Sequence, residues 1–92
     1  MKEQKLERRL VDAITAAGGL CWKFTSPGTA GVPDRLCVLD GHIAFVELKA
    51  PGCSPRPIQR RRIKQLQHHG IPVLVIDNPS GVKEVLNALQ AA

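Results

Sequence analysis

Apolar positions along the chain recur with two different periods, which predict interspersed helices and strands. Apolar residues three and four positions apart indicate amphipathic helices, whereas short continuous or alternating apolar runs indicate strands. In chain order the predicted elements are a helix at residues 3–17, a strand at 20–24, two strands flanking Asp40-Gly41, a helix ending at His69, a strand at 73–76 and a helix carrying residues 82–89. This αβββαβα order predicts one α/β domain, residues 1–92, with a mixed central sheet flanked by helices on both sides.

The strongest local signal is the stretch GVPDRLCVLDGHIAFVELK at residues 31–49. An Asp-Gly pair between two apolar runs is typical of a two-residue hairpin turn. Counting outward from that turn pairs Leu39 with His42 and Asp34 with Glu47, so two carboxylates face each other with Cβ atoms about 5 Å apart. Like charges in this position are destabilising, and this raises the question of what keeps them there.

Strand alternation places both carboxylates on one face with four apolar residues, and we expect this to be the core face: Leu36, Val38, Ile43 and Phe45. Lys49, two residues past Glu47, points to the same face. The apolar run at 73–76 predicts an interior strand that is covered on both faces. The polar residues would thus lie at one end of an apolar surface, next to the loop at 25–33.

Charge indicates the class of partner. The 92 residues carry a net charge of +5 and the pI is near 9.6, which suits a polyanion such as nucleic acid.

The three cysteines are odd in number and widely spaced, which supports neither a disulfide framework nor a zinc site. Cys21 and Cys37 are expected in the core. The N-terminus lacks the apolar segment of a signal peptide, so we expect a cytoplasmic protein.

A divalent cation between Asp34 and Glu47 would turn their repulsion into coordination, and Mg²⁺ prefers a site of one or two carboxylates plus waters. Lys49 could then hold or activate a water, or offset charge on a phosphate. The alternative interpretation is that Glu47 and Lys49 are solvated residues at a strand end.

Two helix residues point towards the same site. Glu7 falls inside the apolar arc of the first helix, and Glu3 lies on that arc one turn earlier. Glu7 would reach the metal directly or through water, although the first turn of a helix favours acids in any case. Gln59 faces inward with Ile63 and Leu66, either to meet a metal-bound water or a phosphate, or to bond the backbone near the helix start.

Basic residues lie on the outward side of the second helix, where they serve either DNA backbone contact or solubility. Lys23 and Ser26 border the loop at 25–33. The complete set of predicted DNA contacts is Lys23, Ser26, Arg35, Arg56, Arg60, Arg61 and Lys64. Three aromatic side chains are too few for the stacking platform of a single-strand binder.

With these residues identified, the sequence resembles the PD-(D/E)xK nuclease superfamily, and within it the virus-type replication-repair nuclease (VRR-NUC) family. Glu7 matches the first-helix acid of that family, GVPDR at residues 31–35 its GxPD motif, FVELK at 45–49 its ExK strand, and Gln59 its helix glutamine. The resemblance implies a Mg²⁺- or Mn²⁺-dependent DNA endonuclease. Asp34, Glu47 and the backbone carbonyl of Leu48 would bind the metal, with help from Glu7, while Lys49 activates a water that Gln59 steers.

Family members that consist of this domain alone, typically from phages, resemble Holliday-junction resolvases and act as homodimers. The resemblance therefore implies a homodimer that cleaves four-way DNA junctions, in the host cytoplasm if the gene belongs to a phage. Two alternatives stay open: a less selective or flap-type endonuclease acting with partners, and a non-catalytic DNA-binding accessory subunit.

Overall fold

The computed structural model describes residues 1–91 as a four-stranded mixed sheet with helices on both faces. The elements are α1 (Glu3–Ala16), β1 (Leu20–Lys23), β2 (Arg35–Leu39), β3 (His42–Leu48), α2 (Pro57–His68), β4 (Val73–Ile76) and α3 (Ser80–Gln90). The strands lie in the order β1-β2-β3-β4, antiparallel except for the parallel pair β3 and β4. The predicted αβββαβα order and mixed sheet are confirmed.

The β2–β3 hairpin has the predicted register. Asp40 and Gly41 both have positive φ, 50° and 81°, as a type I′ turn requires. Leu39 pairs with His42 and Leu36 with Phe45. Continued one pair past the start of β2, the same register sets Asp34 opposite Glu47.

The main core lies on the opposite face of the sheet from the one predicted. Helices α1 and α3 pack together on the face that carries Cys37, Ala44 and Val46, all of which are buried. The face with Leu36, Val38 and Phe45 is only partly buried, and Ile43 on it is 46% exposed. The prediction of a core face there was wrong because two helices cover one face, whereas α2 covers only part of the other.

Strand β4 is an edge strand, not the predicted interior strand. Val73 and Ile76 are buried, but Val75 is 40% exposed. The apolar run of β4 has a different cause from the one predicted. Val73 faces the side of the sheet that carries α2, and Ile76 packs with α3 on the other side. An edge strand between two helices needs apolar residues on both faces, as an interior strand does.

Cys21 and Cys37 are buried and pair across β1 and β2, as expected for core residues, with their sulfurs 3.6 Å apart. Within residues 1–91 no helix is both long and apolar enough to cross a membrane.

Candidate active site

Asp34 and Glu47 lie side by side at one end of the sheet. The backbone N–H of Leu48 donates to Asp34 Oδ2 at 2.9 Å, which fixes the aspartate side chain against β3. The carbonyl of Asp34 accepts a bond from the N–H of Phe24 at 2.8 Å, which ties its backbone to the end of β1. The aspartate is therefore held from both neighbouring strands.

Glu47 is a buried acid, with 1% of its surface exposed. Its Oε2 atom accepts a bond from Gln59 Nε2 at 2.8 Å and lies 3.0 Å from Lys49 Nζ. Its Oε1 atom is fully buried and has no hydrogen-bond partner among the described residues. A buried carboxylate oxygen without a partner is costly, and a bound cation is one way to satisfy it.

The charge state of Glu47 reflects this setting. Burial raises the pKa of the Glu47 carboxyl, the hydrogen bond from Lys49 lowers it, and the nearby charge of Asp34 raises it. The charge of Glu3, at the start of α1, adds to the upward shift of this pKa. The interpretation that Glu47 and Lys49 are solvated is therefore wrong, since Glu47 is buried and Lys49 only 15% exposed.

Gln59 makes the backbone hydrogen bond near the helix start that the sequence allowed, and it also bonds Glu47; its contact with a water or a phosphate stays a prediction. Its Nε2 atom donates to Glu47, and its Oε1 atom accepts the backbone N–H of Arg56 at 2.8 Å, at the start of α2. Pro57 opens the helix with a φ already suited to it. The amide thus anchors the N-terminus of α2 to the carboxylate on β3.

Glu7 lies apart from the carboxylate pair. It forms an ion pair with Arg35, whose Nε atom is 2.9 Å from Glu7 Oε2, and a weaker one with Lys23 at 3.9 Å. Among residues 1–91, no group of three or more His, Cys, Asp or Glu side chains is arranged to hold a metal ion. Asp34 and Glu47 thus stand as a pair of carboxylates, and the metal contacts predicted for them and for Glu7 stay predictions.

The loop before Asp34 is packed tightly against α2. Gly31 has φ +83°, and a Cβ atom there would lie 2.9 Å from a side-chain carbon of Ile58. Arg62 donates from Nε to the carbonyl of Ala30 at 2.8 Å, which secures the same loop. Arg62 was not predicted from the sequence. It belongs to a run of three arginines, and the sequence does not indicate which of them turns towards the protein.

The basic residues of α2 face outward as predicted. Arg60, Arg61 and Lys64 line an open groove of about 600 Å³ together with Pro57, Gln65, His68 and His69. Lys23 is exposed beside Glu7, and Arg56 is exposed just before α2. Ser26 is half-buried, and the half-buried Arg35 also donates to the carbonyl of Cys21 at 3.2 Å. No bound nucleic acid tests these residues, so their DNA contacts stay predictions.

An aspartate after proline, a Glu-x-Lys on the neighbouring strand and a helix glutamine meet at one end of an αβββαβα sheet. This is the arrangement of the PD-(D/E)xK class of nucleases, in which the acidic residues and the lysine lie at one end of a central sheet.

The relatives define the family within this class. The chain is 46% identical over 79 residues to "Putative nuclease p44" of Acyrthosiphon pisum secondary endosymbiont phage 1, and the match covers 85% of each protein. A solved structure described as "VRR_NUC domain" has a TM-score of 0.86 and 30% sequence identity, covering 95% of this chain and 96% of that one. No protein-family model matches the chain. The chain belongs to the VRR-NUC family of nucleases, as its motifs predicted.

Proposed function

We infer that this protein, as one nuclease domain over residues 1–92, is a divalent-metal-dependent, structure-selective DNA endonuclease that resolves four-way junctions as a homodimer. The observation that carries this proposal is the unsatisfied Oε1 atom of Glu47, buried next to Asp34. A retired site would have no reason to keep such a group, which disfavours the non-catalytic alternative.

The donor set fits Mg²⁺ or Mn²⁺. Both are hard cations that take oxygen ligands, and Asp34, Glu47 and the backbone carbonyl of Leu48 offer oxygens at one place. When bound, the cation would polarise the scissile phosphate and lower the pKa of a bound water. Glu7 is the proposed helper through water, and Glu3 is the alternative acid because its charge is felt at Glu47.

The neighbouring side chains have separate tasks in this proposal. Lys49 lies 3.0 Å from Glu47 Oε2, where its hydrogen bond lowers the pKa of that carboxyl against the larger effect of burial, and it can orient a water or offset charge on the phosphate. Gln59 uses its amide nitrogen to hold Glu47 in one rotamer, and would steer the attacking water as it does so. Both residues donate a hydrogen bond to the buried carboxylate of Glu47.

The substrate is proposed from charge and symmetry. A net charge of +5 and the exposed basic side chains of α2 suit contact with the phosphate backbone. Stand-alone members of the family resemble Holliday-junction resolvases, so branched shape is the feature that we expect this chain to recognise. A two-fold dimer would supply two active sites, as paired cleavage of a four-way junction requires.

The experiment is cleavage of end-labelled four-way junction, flap and linear duplex DNA with Mg²⁺, Mn²⁺ or EDTA. Glu47→Ala is the test variant and Glu84→Ala, an exposed acid on α3, is the matched control. Paired nicks confined to the junction, lost with EDTA and in Glu47→Ala alone, would support the proposal. Equal cutting of all substrates would remove the junction selectivity, and preferred flap cleavage would favour the flap-type alternative. Binding without any cutting would favour an accessory subunit.

A further inference from the structure

One face of the sheet carries an uncovered apolar surface, here called the β1–β2 patch, formed by Leu20, Trp22, Leu36, Val38 and Ile43. Leu20 pairs with Val38, and Val38 with Ile43, so these side chains lie in one row across three strands. Trp22 is 59% exposed, Leu20 47% and Ile43 46%. Most of the large apolar side chains that are exposed within residues 1–91 belong to this patch.

The patch is left open by the uneven distribution of the helices. Helices α1 and α3 pack on the other face of the sheet, whereas α2 covers only the part of this face around Glu47, Phe45 and β4. The exposed apolar area is on the order of 300–400 Å², which is within the range of patches that are functional in other proteins.

We propose that a second copy of this chain covers the β1–β2 patch, so that the patch is the core of the homodimer interface. This rests on the homodimer of the proposed function and names the surface that forms it. Two patches together would remove roughly 600–800 Å² from water, about half of the ~1,600 Å² of a standard stable interface. A polar rim supplies the other half in typical interfaces.

DNA is a poorer occupant of this surface than a second copy. DNA-binding surfaces are strongly basic, whereas the side chains of the patch are uncharged, and Arg60, Arg61 and Lys64 line their groove on α2 instead. Pairing along the free edge of β1 is also hindered, because Arg35 already donates to the carbonyl of Cys21 on that strand. Face-to-face contact between two patches is the arrangement that remains.

The position of the patch suits a dimer with two working sites. Leu36, the patch residue nearest to the site, follows Asp34 by two residues, about 7 Å along the extended chain, and Ile43 precedes Glu47 by about 13 Å on β3. A partner seated on the patch would therefore stand beside the carboxylate pair without covering it. Each protomer would form one wall of its neighbour's substrate cleft.

The test is the molar mass in solution, by light scattering and sedimentation over a wide concentration range, for wild type, Trp22→Glu and Leu20→Glu. Val75→Glu is the matched control, because Val75 is an exposed apolar residue on the edge strand β4, outside the patch. Trp22→Phe should preserve the dimer. Circular dichroism and thermal melting of each variant establish that it is folded, as expected for exposed positions.

We expect wild type and Val75→Glu to have the mass of two chains, and folded Trp22→Glu and Leu20→Glu the mass of one. A dimer that persists in both patch variants would overturn this interface but leave the homodimer standing. A dimer that persists while junction binding is lost would overturn it too, and assign the patch to DNA. A monomeric wild type would overturn both the interface and the homodimer, whereas the Glu47→Ala cleavage assay tests the nuclease site separately.

Discussion

Addition of a divalent cation should stabilise the folded protein through Asp34 and Glu47. In this structure Glu47 Oε1 is buried with no hydrogen-bond partner among residues 1–91, and the Asp34 carboxylate lies nearby. An unsatisfied buried group of this kind costs about 1–3 kcal/mol. A cation that binds the folded state alone returns part of that free energy, because the unfolded chain does not bring the two carboxylates together.

The expected size follows from binding linkage. At about ten times its Kd, a ligand of the folded state contributes about 1.4 kcal/mol, which lies within the cost of the unsatisfied oxygen. For a domain of this length, each kcal/mol shifts Tm by about 4–8 °C. Mg²⁺ or Mn²⁺ should therefore raise Tm by about 6–11 °C at that concentration.

The assay is thermal unfolding in EDTA, Mg²⁺ or Mn²⁺ at matched ionic strength. The quantity compared is the shift in Tm on adding the cation, so that any intrinsic effect of a substitution cancels. Asp34→Ala and Glu47→Ala should lose the shift, and Glu84→Ala should retain it. An equal shift in Glu47→Ala, or no shift in wild type at any cation concentration, would refute the metal site.

Three further changes test the surroundings of the site. Lys49→Met should lower the rate of single-turnover cleavage by about 10²–10⁴-fold, whereas DNA binding, measured by gel shift, should be retained. Unchanged cleavage would remove Lys49 from the proposal. Gly31→Ala should destabilise the protein by about 1–3 kcal/mol in urea, because the new Cβ would clash with Ile58 and the backbone φ is +83°. An unchanged urea midpoint would contradict that packing. Glu7→Gln should lower the free energy of unfolding by about 1–2 kcal/mol, because it weakens the 2.9 Å ion pair with Arg35 on β2. An unchanged Tm would mean that this ion pair adds no stability.

The parts of the site that were predictable from sequence depend on local chemistry. The Asp-Gly turn adopts the two positive φ values that it favours, and a two-residue turn determines the register of the whole hairpin. The opposition of Asp34 and Glu47 follows from that register alone. The inward position of Gln59 follows equally from the helical period.

The errors concern which face of an element is covered, and that depends on distant parts of the chain. Alternation divides β3 into two faces, but both carry apolar residues, so the pattern does not tell which face receives α1 and α3. Glu7 illustrates the same limit. Its position on the inner arc of α1 was predicted correctly, but its partner, Arg35, belongs to a strand 28 residues away.

The uneven coverage of the sheet also explains how one small domain could serve the two proposed purposes, cleavage and dimerisation. The face under α1 and α3 holds the tightly buried core. On the opposite face, Glu47 is covered by α2 alone, and the β1–β2 patch is exposed. Because Gln59 links α2 directly to Glu47, any shift of that helix would move the carboxylate. The geometry of the site is thus set by the N-terminus of α2, whereas most of the buried apolar core lies on the other side of the sheet.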